Sequence, residues 1–511
     1  MPTPFDQLLK NLQAAQGDTA KLALVTFDFA VAGNPTLRAA AEMAAIPHWF
    51  DAKTLAALLP EQATQAENLV AQLAALPMIE PYHRAHGDPA WNVHEATRLA
   101  LRDRLLANEP ERFRQLSRRA AASYGSANPD APDFALTCEH LYHQLAGQTD
   151  AGDVALDKVS GNWRADSRVE RLQTLARLLE ELLVSQPAPP LLPRGQGLSY
   201  MSIAAARENH QSTPATVALL KKAEVIFREL VASDPDNAAR QRDLSVSYNG
   251  LGDLAVAQGQ LDDAARAYAD GLTIRKKLAA SNPSNTQWQR DLSVSYVKLG
   301  SVAVAQRQFD VAARAYADGL TIHKKLAASD PGNSGRQRDL SISYERLGDV
   351  AVTQGQLDEA ARAYGERLMI AKKLTAGDPS NTQWQRDLSI SYERLGNVAV
   401  AQGQLKDAAR AYGDGLKIRK KLTARDPGNT QWQRDLSISF FKISKLQAQQ
   451  QQWPEALANA EASLKIDERL SQHDPSIATW QQDVKASRAW VEKLRQMGKG
   501  RKGSQGANPH E

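Results

Sequence analysis

The sequence predicts a mainly α protein, most of it an array of stacked helical hairpins, and three observations carry that prediction. The motif Asp-Leu-Ser-Val/Ile-Ser-Tyr/Phe begins at Asp243, Asp291, Asp339, Asp387 and Asp435, a constant step of 48 residues. A proline keeps the same step at Pro235, Pro283, Pro331, Pro379, Pro427 and Pro475. Between the prolines, apolar residues fall at spacings of three and four, which is the period of a helix and not of a strand. A fixed period of this size marks an array of copies, each too small to bury its apolar face alone.

One copy, from Asn285 to Pro331, shows the elements in order. Trp288, Leu292, Tyr296, Leu299, Val302 and Ala303 share one stripe and define a first helix, A. Thr286 followed by Gln289 is a capping-box pattern, repeated at Thr382/Gln385 and Thr430/Gln433, and places the start of helix A. Ala312, Tyr316, Leu320, Ile322 and Leu326 define helix B. In the turn between them Gly259, Gly355 and Gly403 suit a left-handed C-cap, a position that Arg307 occupies at modest cost. The Asp-Pro-x-Asn segment ends helix B, because proline bars helical geometry in the residue before it. Worn outer copies, from Gly195 and from Asp435, are what terminal units of an array look like.

The stretch Leu251–Leu272, with Gly252, Gly259, Ala264, Tyr268 and Gly271 at their spacings, resembles the tetratricopeptide repeat family, and the match recurs in at least four copies. It departs from that family at Ala255, where a large aromatic is usual, and in the length of the copy, which implies helices of about 20 residues, or about 30 Å. The resemblance implies an α-solenoid whose A helices line a concave groove for a partner peptide or helix.

Before the array, Ser185–Gly197 is rich in proline and glycine and reads as a linker. Upstream, the patterns from Asp51 to Leu106 give the order helix, helix, strand, turn, strand, helix, which is that of a small winged-helix-like α/β domain. This segment resembles the winged-helix part of STAND-type signalling ATPases, closest in VHEATRLALRDRL and RFRQLSRRAAASY. Such an ATPase needs a phosphate-cradling G-x-x-x-x-G-K-[ST] loop, and no such string occurs, so no nucleotide is expected. The expected organisation is a helical lead (1–39), the winged-helix-like domain (40–125), a helical connector (126–184), the linker (185–197), the solenoid (198–498) and a disordered tail (499–511).

Composition excludes several function classes. A formal charge of +4 over 511 residues is too small to argue for nucleic acid, and the helix from Ala66, the one that would read a groove, carries no lysine or arginine. No run of about 18 apolar residues could span a bilayer, and the N-terminus lacks the order of a secretory signal. A single cysteine, Cys138, fits a reducing compartment, so the expected location is the cytoplasm. Cys138, His140 and His143 at helical spacing invite a zinc reading, but only His83, His86 and His94 could complete it, and a helix face with a buried thiol is the simpler account. Asp103 and Asp133 stand near histidines without a nucleophile context, and neither a catalytic centre nor a cofactor is expected. Lys276/Lys277, Lys324/Lys325, Lys372/Lys373 and Lys420/Lys421 lie toward the end of helix B, where cations complement the helix dipole; the alternative is a basic strip that binds an acidic partner.

The expected function is a non-catalytic protein-interaction scaffold. The alternative is a regulatory or sensor subunit of a STAND-like signalling or defence system. Positions that differ between near-identical copies are candidates for the partner's footprint. Asn249, Val297, Glu345, Glu393 and Phe441 vary at one site on helix A, and Asp253, Ser301, Asp349, Asn397 and Lys445 vary a turn later. Both sets share a face with the β-branched Val246, Val294, Ile342 and Ile390, giving an apolar floor with a changing polar rim. The acidic middle of that rim, beside Arg346 and Arg394, points to a basic stretch in the partner, and Phe441 and Lys445 point to an apolar or acidic end near the last copy. Trp288, Trp384, Trp432 and Trp480 are expected to be framework residues that pack one copy on the last.

Overall fold

The computed structural model describes residues 4–84, 88–185, 187–208 and 213–504. The chain forms two compact units, 1–274 and 275–511.

In the first unit, α1 (Pro4–Ala14), α2 (Thr19–Ala30) and α3 (Pro35–Ala44) lead into α4 (Ala52–Leu58), a 3-10 turn (Pro60–Gln65) and α5 (Ala66–Leu73). Strands β1 (Ile79–Tyr82) and β2 (Ala90–Val93) then pair antiparallel, Ile79 opposite Val93. Phe50 adds a further rung, its amide 2.8 Å from the Trp91 carbonyl and its carbonyl 2.9 Å from the Trp91 amide. With α6 (Glu95–Asn108) the expected winged-helix order is complete. Helices α7 (Pro110–Ser123), α8 (Phe134–Ala146), α9 (Asp150–Ala165) and α10 (Val169–Leu183) follow.

The worn first hairpin is α11 (Pro193–Glu208) and α12 (Pro214–Ser233), followed by α13 (Ala238–Ala257) and α14 (Leu261–Ser281), within which the boundary between units falls. The expected linker is therefore shorter than its composition suggests. Proline is favoured in the first turn of a helix, where its missing N–H has no partner to lose, and Pro193 opens α11. Gly195 and Gly197 are close-packing residues and not flexible joints: a Cβ at Gly195 would lie 2.5 Å from Asp153 Oδ1, and one at Gly197 would lie 2.7 Å from the Phe227 ring. One apolar cluster includes Phe50, Leu101, Leu141, Trp163, Leu182, Leu191, Leu198 and Phe227, so the segments expected as connector and linker share the core of the α/β part.

The second unit continues with α15 (Thr286–Ala305) and α16 (Phe309–Ser329), α17 (Ser334–Thr353) and α18 (Leu357–Gly377), α19 (Thr382–Ala401) and α20 (Leu405–Arg425), α21 (Thr430–Gln449) and α22 (Trp453–His473), and finally α23 (Ala478–Ser504). Each A helix has 20 residues and each B helix 21, matching the expected length. The turn glycines take left-handed geometry as expected, φ +73° at Gly259 and +74° at Gly355 and Gly403, with Arg307 at +61°. The start of helix A is as expected but its cap is not. Asn285, Asn381 and Asn429, the last residues of the Asp/Asn-Pro-x-Asn segments, receive the amides of Trp288, Trp384 and Trp432 at 3.0–3.1 Å. Asparagine is among the best N-caps. Thr286 is thereby displaced to the first helical position, and Gln289 and Gln433 instead tie to the backbone of Ala279 and Pro427 at 3.2 and 3.1 Å.

The hairpin is closed by tyrosine against glycine. A Cβ at Gly300, Gly348 or Gly396 would come within 2.4–2.5 Å of the ring of Tyr316, Tyr364 or Tyr412, so only glycine admits the ring. Each such tyrosine sits in a small cluster completed by the next A helix: Tyr316 with Val350, Tyr364 with Val398, Tyr412 with Leu446. The second unit thus has a chain of nearest-neighbour cores. Helix α23 runs to Ser504, into the segment expected as a tail, while 505–511 lie outside the described residues.

Candidate partner-binding face

Successive A helices of the second unit are tied along one edge by a ladder that the repeated Gln-Arg-Asp triplet encodes. Arg290 reaches Asp339 at 3.4 Å, Arg338 reaches Asp387 at 3.3 Å, Arg386 reaches Asp435 at 2.6 Å and Arg434 reaches Asp483 at 2.7 Å. Deeper, the two serines of the repeated motif hold a buried polar side chain from helix B. His323 bridges Ser293 at 2.8 Å and Ser343 at 2.6 Å. Arg419 binds Ser389 at 3.2 Å, Ser439 at 2.7 Å and the Asp435 carbonyl at 2.8 Å. Asp467 accepts from Ser437 and Ser487, each at 2.5 Å. At the equivalent place in the second of these hairpins, α17–α18, stands Ala371, and the charge comes one turn earlier from Arg367, which reaches the Asp387 carbonyl at 3.1 Å.

That seam decides what the varying A-helix residues do. Glu345 pairs with buried Arg367 at 3.2 Å and Glu393 with buried Arg419 at 2.6 Å. Where helix B offers His323, the site holds Val297; where it offers Asp467, the site holds Phe441. The second set is tied in turn: Asp349 accepts from Tyr364 Oη at 2.5 Å, Asn397 from Tyr412 Oη at 2.8 Å, and Ser301 lies 3.1 Å from Tyr316 Oη. Across to the next copy, Arg394 meets Glu345 and Asp349 at 3.3 and 3.5 Å, and Lys442 meets Glu393 at 2.5 Å and Asn397 at 3.0 Å. Attraction to Arg419 and Lys442 overrides burial and holds the Glu393 carboxyl below its ordinary range. Phe441 and exposed Lys445 form a cation–π contact at 4.5 Å. In the first unit Asn249 is buried, and exposed Asp253 accepts from Tyr268 Oη at 2.5 Å.

The structure therefore brings the eight positions of the second unit onto one face of consecutive A helices, but joins most of them into internal pairs. A copy-by-copy reading misses this, because each difference on helix A is matched by a second difference on helix B. The signal was present at 323, 367, 371, 419 and 467. Apolar residues also remain open on this face: Val294 (38%), Val304 (37%) and Val352 (42%) are exposed, and Ile342, Ile390 and Ile438 are half-exposed. A cleft of about 310 Å³ opens between α17 and α19, lined by Asp349, Val352, Arg394 and Asn397.

Two further expectations change. Trp288, Trp384, Trp432 and Trp480, in the first turn of helix A, are half-buried and not fully buried. The first lysine of each pair is more than a dipole complement: Lys276, Lys324, Lys372 and Lys420 lie 5.3–5.5 Å over Tyr296, Tyr344, Tyr392 and Phe440 of the following A helix. At the last copy the pair becomes Glu468–Arg488 at 2.6 Å.

The first unit holds a cluster that the sequence did not announce. Glu181 on α10 accepts from Arg98 at 3.1 Å, from Tyr142 Oη at 2.6 Å and from Arg102, while His48 stands 3.0 Å from Glu139 and 3.3 Å from Glu181. Burial alone would raise the Glu181 carboxyl, but His48 and the guanidinium groups hold it far below the ordinary range. This network binds α6 to α8 and α10. Cys138 lies buried in the same helix layer, with its thiol pushed well up by desolvation. Among the described residues no group of three or more His, Cys, Asp or Glu side chains is placed to hold a metal ion, and His86 lies outside them.

Paired helices of constant length, a left-handed turn, and tyrosine closing on glycine make the array a tetratricopeptide-like α-solenoid, preceded by a small α/β part. Among solved structures the chain is similar to the apo form of RapI (12% identity, 67% of this chain and 86% of that one, TM-score 0.47). It is also similar to a STAND protein with a tetratricopeptide repeat sensor from Pyrococcus horikoshii (12%, 97% and 72%, 0.42). A third is YrrB, described as a tetratricopeptide protein with an unusual peptide-binding site (16%, 49% and 98%, 0.28). At these identities and scores the fold assignment rests on the chain's own geometry. No protein-family model and no curated protein matches the chain.

Proposed function

We propose that the chain is a non-catalytic interaction scaffold whose helix-A face docks a peptide or helix of a partner protein. The observation that carries this reading is the recurrence of exposed valines, Val294, Val304 and Val352, and half-exposed isoleucines at fixed places on consecutive A helices. Scattered apolar residues on a surface are ordinary, but a patch repeated in register is the kind of surface that partners cover. The eight varying positions of the second unit, from Val297 and Ser301 to Phe441 and Lys445, form the rim of the proposed docking face.

No cofactor, nucleotide or nucleic acid enters this reading. The solvent side of α5 presents Glu67, Asn68, Ala71 and Gln72, with no positive charge for phosphate. No helix among the described residues is long and apolar enough to cross a membrane, and a cytoplasmic location belongs to the proposal. The full chain as bait in a pull-down tests it, beside a Val294→Ser/Val304→Ser/Val352→Ser variant with an unchanged circular dichroism spectrum. The partner should be lost by the variant; a partner retained by both places the docking surface elsewhere.

A second reading is a regulatory or sensor subunit of a STAND-like system. It is favoured by the Glu181 network, which fastens the winged-helix-like part to helices that lead into the repeats. Co-purification of a nucleotide-binding ATPase would support it.

A further inference from the structure

On the helix-A face, each copy offers a cation to the copy before it. Arg394 is met by Glu345 and Asp349, and Lys442 by Glu393 and Asn397. Arg346 holds the same place one copy earlier, but there the facing positions are Val297 and Ser301. Arg346 is exposed, and among the described residues it has no acidic or hydrogen-bonding partner. The absence has a local cause. Helix B of that hairpin carries His323, which is satisfied by Ser293 and Ser343, so the hairpin needs no carboxylate at 297, and its valine leaves the next cation unmatched. The position that faces Arg346 is the apolar Val297, and exposed Val294 and Val304 stand within two turns of it on the same helix.

We propose that Arg346 is the charged anchor of the docking face and that it receives a carboxylate side chain from a partner segment alternating acidic and apolar residues. The apolar side chains of that segment rest on Val294 and Val297. The proposal rests on the reading that the helix-A face docks a partner, and it reverses the partner charge expected from sequence. The acids of the middle copies are already neutralised internally, so the charge left to recruit a ligand is positive. A bidentate guanidinium–carboxylate contact supplies both strength and direction there.

The array contains its own test. Val297→Glu with Ser301→Asp installs, one copy earlier, the acids that stand at 345 and 349, and it should neutralise Arg346 from within. Fluorescein-labelled peptides of alternating leucine, serine and glutamate, and the same peptides with lysine or glutamine for glutamate, are titrated at physiological salt into the full chain. The protein forms are the wild type, Arg346→Gln, and the Val297→Glu/Ser301→Asp variant, each checked by circular dichroism. The glutamate peptide should bind the wild type and lose at least about tenfold in affinity in both variants, and the lysine and glutamine peptides should not bind. Equal affinity for wild type and variants, preference for the lysine peptide, or no binding of the glutamate peptide to the wild type would each overturn the proposal. The pull-down separates its failure from that of the scaffold reading. A natural partner lost by the triple-serine variant but kept by Arg346→Gln refutes only the acidic anchor, whereas a partner kept by both refutes the docking face.

Discussion

If substitutions on helix A and helix B are coupled, transplanting a pair from one copy to another should succeed where either half fails. Glu393→Val removes the counter-charge of Arg419, a side chain 3% exposed and otherwise held by Ser389, Ser439 and the Asp435 carbonyl. Breaking a buried pair from one side costs about 3–5 kcal/mol. Glu393 is itself 20% exposed, so roughly 2–4 kcal/mol is the expected loss here. The freed Lys442 adds under about 1 kcal/mol, as for any surface pair. Adding Arg419→His reproduces the Val297/His323 combination two copies earlier. The new histidine finds Ser389 and Ser439 where His323 finds Ser293 and Ser343. The double variant should return to within about 1 kcal/mol of wild type, a coupling of about 2 kcal/mol or more. Urea unfolding of the full chain gives the global effect. Because each copy touches only its neighbours, amide hydrogen exchange over α19–α21 supplies the local free energy. Additive single and double effects would refute the pairing and return Glu393 to the set of free rim residues.

Two further outcomes follow from close approach and burial. Gly348→Ala places a Cβ 2.5 Å from the Tyr364 ring and should cost about 1–3 kcal/mol, whereas Gly365→Ala, with nothing within 4 Å of its new Cβ, should raise stability by up to about 1 kcal/mol; thermal melts of both variants check the contrast. Burial pushes the Asp153 carboxyl up to about 7 against the opposing pull of Arg194. A carboxyl raised on folding binds its proton more tightly in the native state, so stability falls as pH rises from about 4 to about 7. Asp153→Asn should therefore stabilise the first unit at pH 8 and leave it nearly unchanged at pH 4, and equal effects at both pH values would contradict the assignment.

The period, the hairpin, its helix lengths and its left-handed turn were all legible in the sequence, because each is specified within one copy and repeated. Local chemistry with two solutions was not. Thr286 and Asn285 are both good caps, and only the backbone shows that asparagine wins. Pro193 could close a linker or open a helix, and the tight seats of Gly195 and Gly197 decide for the helix. The four tryptophans look like core by size, yet each is only half-buried in the first turn of its helix. The internal pairing of the rim acids was not legible for a different reason. Comparing copies one column at a time treats each position as independent, whereas the buried seam makes two columns vary together.

The seam also bears on how such an array can change its number of copies. The pairs Glu345–Arg367, Glu393–Arg419 and Val297/His323 each lie inside one hairpin, while the Arg–Asp ladder between hairpins uses the same residues at every step. Unequal crossing-over that excised α17 and α18 would carry away a matched pair whole and rejoin Arg290 to Asp387 in the same geometry. Framework and reading face would respond differently to that event. The stack would close without a mismatch, and Arg394 would come to lie over Val297 and Ser301, inheriting the unmatched state of Arg346. Loss of that copy would thus preserve foldability and keep one unmatched cation over Val297 and Ser301, while the face that a partner meets becomes one copy shorter.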